Sequence, residues 1–148
     1  MKLAIGGDHG GFNLKTALIA YLKEQGHEVK DFGCYDKSSI DYPDYAFLVA
    51  EAVVRGEFER GIVICTTGIG VSIAANKVAG VRCALVSDEY SARLTREHND
   101  TNLIAFGEHV TTAERAKGIL DIWLNEPFSH GERHQRRIDK ISNYEKTH

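Results

Sequence analysis

Short runs of β-branched and small apolar residues, each followed by a longer amphipathic stretch, recur from one end of the chain to the other. No other feature constrains the fold as strongly, because such alternation marks strand–helix units. Lys2–Ile5, Glu28–Phe32, Gly61–Cys65, Arg82–Val86 and Leu103–Phe106 read as strands. Phe12–Gln25, Tyr45–Val54, Val71–Val78, Asp88–Glu97, Thr112–Leu124 and a basic stretch, Glu132–Glu145, read as helices. In the first helix Leu14, Leu18, Tyr21 and Leu22 share one face, and Gly26 follows its end. Strand–helix units of this kind pair in parallel with right-handed crossovers. The expected fold is an α/β protein: a three-layer α/β/α sandwich around a five-stranded, parallel, Rossmann-like sheet, closed by a C-terminal basic helix.

Length, charge and cysteine usage narrow the class. At 148 residues, without repeats or a Ser/Pro-rich linker, one domain over 1–148 is expected. With 18 Lys and Arg against 21 Asp and Glu, the net charge of −3 argues against a protein that coats nucleic acid or an anionic membrane. Purely apolar stretches are only a few residues long, so no membrane helix is expected. The start, MKLAIGGDHGG, lacks the apolar core of a secretory signal. Cys34, Cys65 and Cys83 form an odd set without CxxC spacing, which suits a reducing cytoplasm.

In open parallel sheets, ligands bind outside the carboxyl ends of the strands, where the strand order reverses. That rule selects Gly6–Gly11, Cys65–Gly70 and the strand ends at Ser87 and Gly107. If the first and third strands are neighbours, Asp8, His9 and Cys65 converge on one crevice. In ICTTGIGVSIAANK a cysteine ends a buried strand, and glycines lead into a helix N-terminus whose N–H groups favour an anion and a thiolate. Such a thiolate is placed to remove a proton α to a carbonyl while the N–H groups hold the enediolate. A buried Cys65 followed by an ordinary tight turn is the competing reading. Asp8 is open to two roles as well, a hold on hydroxyls or an anion, and a helix cap.

Two further segments carry chemistry-bearing side chains. In REHNDTN, His98 suits acid–base work if a sugar oxygen comes within reach; otherwise the segment is a polar turn. In GERHQRRIDK, Arg133 and Arg137 lie four apart on one helical face, which suits a phosphate as well as it suits solvent. GxxxxGK[ST] and GxGxxG are absent, and the C-x5-R spacing of cysteine phosphatases puts Val71 where the arginine belongs. The seven histidines show no compact metal-ligand spacing. A flavodoxin-like module that cradles a flavin phosphate on Thr66–Gly68 requires the glycine turn after the first strand, whereas here it follows the third.

Taken together and in order, GGDHGGFNLK, the DYP of Asp41–Pro43, ICTTGIGVSIAANKVAGVRCALV, YSARLTREHNDTNLIAFGEHV and GERHQRR resemble the type B ribose-5-phosphate isomerases, which are similar to the subunits of galactose-6-phosphate isomerase. The resemblance spans essentially the whole chain. It implies an aldose–ketose isomerase that uses no metal and no cofactor, and interconverts D-ribose 5-phosphate and D-ribulose 5-phosphate in the non-oxidative pentose phosphate pathway. By the same resemblance Cys65 is the base, and the backbone of Thr66, Thr67, Gly68, Ile69 and Gly70 holds the enediolate oxygens. His98, helped by Thr67 and Asp8, opens the furanose ring. Asn99 touches the sugar, Tyr42 lines the pocket, and His9, Arg133 and Arg137 bind the phosphate. The helix at about 131–146 packs on a partner subunit. A cytoplasmic homodimer with shared sites is implied, or a tetramer of two such pairs, with a phosphorylated sugar as the only other partner. Two positions depart from the family pattern. Thr66 stands where glycine is usual, so its side chain either narrows the pocket or points away, and His109 stands where an arginine is usual, which makes phosphate binding weaker or pH-dependent. Other phosphorylated sugars, among them allose 6-phosphate, galactose 6-phosphate and a tetrose phosphate, are the competing substrates.

Overall fold

The computed structural model describes every residue, Met1–His148. Its strands are β1 (Lys2–Gly7), β2 (Glu28–Asp31), β3 (Arg60–Cys65), β4 (Cys83–Leu85) and β5 (Leu103–Gly107). The helices are α1 (Phe12–Glu24), α2 (Tyr42–Val54), α3 (Ile69–Ala75), α4 (Glu89–Asn99), α5 (Ala113–Asn125) and α6 (Glu132–Thr147). All pairings are parallel, in the order β2-β1-β3-β5-β4. The expected α/β sandwich is therefore present, and the first and third strands are neighbours.

Side chains along each strand alternate between two cores, as the pleat requires. Leu3, Ile5, Ile62, Ile64, Ile104 and Phe106 face the layer of α1 and α5, together with Trp123 and Leu120. Ala4, Val63, Cys65, Leu103 and Ala105 face the layer of α2 and α3. That second layer is alanine-rich, with Ala46, Ala50, Ala52, Ala74 and Ala75 buried, so its helices lie close to the sheet. The side chain of Cys65 consequently points toward α2 and α3.

Element boundaries moved where local chemistry outweighed periodicity. α2 starts at Tyr42 and not at Tyr45, because Pro43 in its first turn fits a helix start and lacks only an N–H that would be unpaired there. α3 stops at Ala75, since Asn76 turns out to bond the Cys83 backbone through its side-chain oxygen and nitrogen (2.8 and 3.0 Å). Trp123 is fully buried, and its Nε1–H donates to Thr101 Oγ1 at 3.0 Å. Trp123→Ala is expected to lower the unfolding free energy by about 3–5 kcal/mol, read from a urea midpoint.

Candidate active site

The chain order reverses beside β1: β2 lies on one side of it, β3 on the other. The loops at the carboxyl ends of these two strands form the crevice predicted to hold ligand. Asp8 N–H donates to the Ile64 carbonyl (3.2 Å), tying the first loop to β3. Asp8 Oδ1 accepts from Gly10 N–H at 2.9 Å and caps the single 3-10 turn, His9–Gly11. The capping role is thus real for one oxygen of a buried carboxylate.

Cys65 ends β3 and is 5% exposed. The chain then turns through Gly68, whose φ of +80° sets its N–H toward the sulfur at 3.2 Å. An added Cβ here would also meet the Phe106 carbonyl carbon at 2.8 Å, so two independent constraints require glycine. A hydrogen bond donated to sulfur strengthens as the sulfur gains negative charge. Thr67 Oγ1 accepts from Ile69 N–H (3.2 Å), which stiffens the same turn. Burial raises the Cys34 thiol, and desolvation pushes Cys83 up to about 12, so neither is a competing thiolate at neutral pH.

The remaining crevice residues arrive from three directions. The Tyr42 ring lies over Gly70, where an added Cβ would come within 2.6 Å of it. Thr66 Oγ1 fills the space in which Gly10 would carry a side chain. It therefore leans on the first loop. His109 N–H donates to the Thr66 carbonyl (3.1 Å), and Glu108 N–H to that of Cys65 (3.0 Å), so the end of β5 closes the third side. His9 accepts the Ile40 N–H on Nδ1 at 3.2 Å.

His98 and Asn99 lie elsewhere. α4 returns the chain from the carboxyl end of β4 to the amino end of β5, so its own C-terminus sits at the amino-terminal edge of the sheet. Arg82, just before β4, confirms the placement by donating to the Asn99 and Asp100 carbonyls (2.8 and 3.0 Å). Cys65 pairs with Gly107 at the other edge. The length of β5, about 13 Å at the usual rise per residue, separates the two. The grouping of His98 with Thr67 and Asp8 around one substrate is therefore not met within one chain.

At the amino-terminal edge a cavity of about 150 Å³ gathers His98, Asn99, His134, Arg137 and Arg82. It forms where α6 packs on α4 through buried His134 and Ile138. The rings of His98 and His134 stack 4.2 Å apart, and His134 Nδ1 bonds Ser129 Oγ at 2.8 Å. In the arginine-rich run GERHQRR it is His134 that is buried. The spacing of His134 and Ile138, four apart on one face, is the signal that marks it.

Desolvation, reinforced by His98, Arg133 and Arg137 and opposed by Glu97, holds His134 below the ordinary histidine range. The folded chain thus binds fewer protons here than the unfolded one. The stability contributed by the neutral ring is full above the unfolded value of about 6.5 and is lost as pH falls below it. Thermal midpoints should fall on acidification from about pH 7 to about pH 5, and less so in His134→Asn.

No three His, Cys, Asp or Glu side chains cluster as a metal-holding group, and no helix is long and apolar enough to cross a membrane. A reversing parallel sheet with a thiol at its switch point and a backbone N–H directed at that thiol defines an open α/β enzyme of small molecules. Within that class the chain belongs to the ribose/galactose isomerase family, whose model matches residues 3–141. It is 51% identical to ribose-5-phosphate isomerase B of Escherichia coli over 141 residues, 95% of this chain and 94% of that one. A ribose-5-phosphate isomerase B structure from Clostridium thermocellum superposes with a TM-score of 0.97, at 52% identity and 99% coverage of both chains. One from Mycoplasma genitalium, solved with bound ribulose 5-phosphate, gives 0.92 at 44% identity, covering 98% of this chain and 96% of that one.

Proposed function

We propose that this isomerase interconverts D-ribose 5-phosphate and D-ribulose 5-phosphate, in a site that two copies of the chain complete together. The observation that carries the reading is the Cys65 sulfur, buried at the switch point and 3.2 Å from the Gly68 N–H, in a chain of this family. In the forward direction the Cys65 thiolate takes the C2 proton of the open-chain aldose and returns it to C1. A second proton passes from O2 to O1, so the reaction is balanced without an external oxidant or reductant. The negative charge that develops on the enediolate oxygens meets the backbone of Thr66–Gly70. Tyr42 walls the sugar, and His109 closes the crevice from β5.

His98, Asn99, Arg133 and Arg137 act from the partner's α4–α6 edge, which the separation of the two half-sites within one chain favours. There the partner's His98 delivers a proton to the furanose ring oxygen as the C1–O bond breaks, while the proton of the C1 hydroxyl leaves, with Asp8 and Thr67 opposite it. His9 of the first chain and the partner's Arg133 and Arg137 grip the phosphate. The setting is the cytoplasmic, non-oxidative pentose phosphate pathway, and the assembly is a homodimer or a pair of them.

The test is isomerisation by EDTA-treated protein across ribose 5-phosphate, allose 6-phosphate, galactose 6-phosphate and erythrose 4-phosphate. Ribose 5-phosphate should show the highest kcat/KM. A higher value for a hexose phosphate would shift the assignment to the galactose side of the family, with Thr66 and His109 as the residues responsible.

A further inference from the structure

Lys15, on α1, is the only buried lysine, 1% exposed, and the mechanism above does not use it. Its Nζ donates to both Asp31 oxygens (2.7 and 2.8 Å) and to the Cys34 carbonyl (2.5 Å). The Phe12 and Tyr35 rings flank it at 5.4 and 5.7 Å. Where stability alone is at stake, apolar residues in place of both Lys15 and Asp31 serve such a pair of positions as well, because the charges must be stripped of water. What the ammonium adds is a fixed geometry.

That geometry leads to the crevice. Asp31 Oδ1 also accepts the Gly33 N–H at 2.9 Å. The Gly33 carbonyl accepts from Gly7 N–H (2.8 Å), and Cys34 N–H donates to the Gly7 carbonyl (2.7 Å), so the clamped segment is fastened to the end of β1. The chain leaving it, 35–41, returns over the crevice, where Ile40 N–H donates to His9 Nδ1. A ring nitrogen that accepts carries no proton, so the proton of the His9 imidazole sits on Nε2. Nε2–H is the form that donates to a phosphate oxygen; the other tautomer would offer a lone pair to an anion.

We propose that Lys15 is a positioning residue: by clamping Asp31 and Cys34 it holds 35–41 where Ile40 keeps His9 in the Nε2–H tautomer, ready for the substrate phosphate. The phosphate part of this statement rests on the reading of His9 given under the proposed function. The clamp itself does not.

Two readouts on the full-length protein test it. The first is the nitrogen-15 spectrum of the histidine rings in the unliganded protein. The second is steady-state kinetics with ribose 5-phosphate for Lys15→Met, Ile40→Pro, His9→Ala and the Lys15→Met/His9→Ala double variant. Ile40→Pro deletes the donor alone and leaves the buried pair intact, so it serves if Lys15→Met folds poorly. The wild type should show His9 as Nε2–H, and both single loop-clamp variants should show mixed tautomers. KM should rise about tenfold in each, the loss of one hydrogen bond to a charged group, with kcat within about twofold. The double variant should be no worse than His9→Ala. If Lys15→Met keeps the Nε2–H signal and its KM, or if its effect adds in full to that of His9→Ala, the proposal is overturned. A tautomer that follows Lys15 while His9→Ala leaves KM unchanged upholds the clamp and overturns only the phosphate role of His9.

Discussion

Replacing Cys65 by alanine is expected to lower kcat for ribose 5-phosphate by roughly 10³-fold, within the range a positioned proton-transfer group supplies. KM should stay within about twofold, since the groups that grip the phosphate lie outside β3 and a group acting only in the transition state leaves ground-state binding alone. The fold should survive. Cys65 packs against the alanine-rich layer, and removing one sulfur from it is a small truncation by comparison with that at Trp123. Equal thermal midpoints for variant and wild type would separate lost chemistry from lost structure. Cys65→Ser makes a stricter comparison: it keeps the shape and an acceptor for the Gly68 N–H, but a hydroxyl is far less acidic than a thiol. Its kcat should also fall, and near-normal turnover in either variant would remove Cys65 from the role of base.

His98→Asn tests a different step. Ribose 5-phosphate is presented mostly as a closed furanose, whereas ribulose 5-phosphate, with its terminal oxygen phosphorylated, has no free hydroxyl with which to close a five-membered ring. A group that opens the ring matters only for the first. The variant should therefore lose about 10²-fold in kcat with ribose 5-phosphate. Exchange of the C1 proton of ribulose 5-phosphate with deuterated solvent, followed by NMR, should change only a few-fold. Equal losses in the two assays would place His98 in the proton transfer itself and not in ring opening.

Much of this was legible in the residues. The five strand segments read from the sequence became the five strands, and the carboxyl-end rule led directly to Asp8, His9 and Cys65, because it depends only on strand adjacency. The insertion of β5 between β3 and β4 was not legible, since the order of strands depends on which helix faces pack, and β3 and β5 are both buried along their length. Within one chain the helix end that carries His98 lies one sheet-length from Thr67, because a helix that returns to the start of a strand must end at the amino edge. Lys15 and Glu108 went unread for a related reason. A lysine in a helix and a glutamate after a strand look like solvated residues until the fold brings Asp31 to the one and the N-terminus of α1 to the other, where Glu108 Oε1 accepts the Leu14 N–H at 2.7 Å. Charge pairs between distant segments leave no periodic trace.

In the proposed assembly the Cys65 crevice of one copy is completed by the α4–α6 edge of another. Cys65→Ala and His98→Asn proteins, each nearly inactive with ribose 5-phosphate, can be mixed, unfolded and refolded together. Random pairing makes half of the dimers hybrids, each with one site carrying both substitutions and one carrying neither, so activity should return to about one quarter of the wild-type value. Activity that stays at the level of the two parents after verified subunit exchange would contradict the shared site.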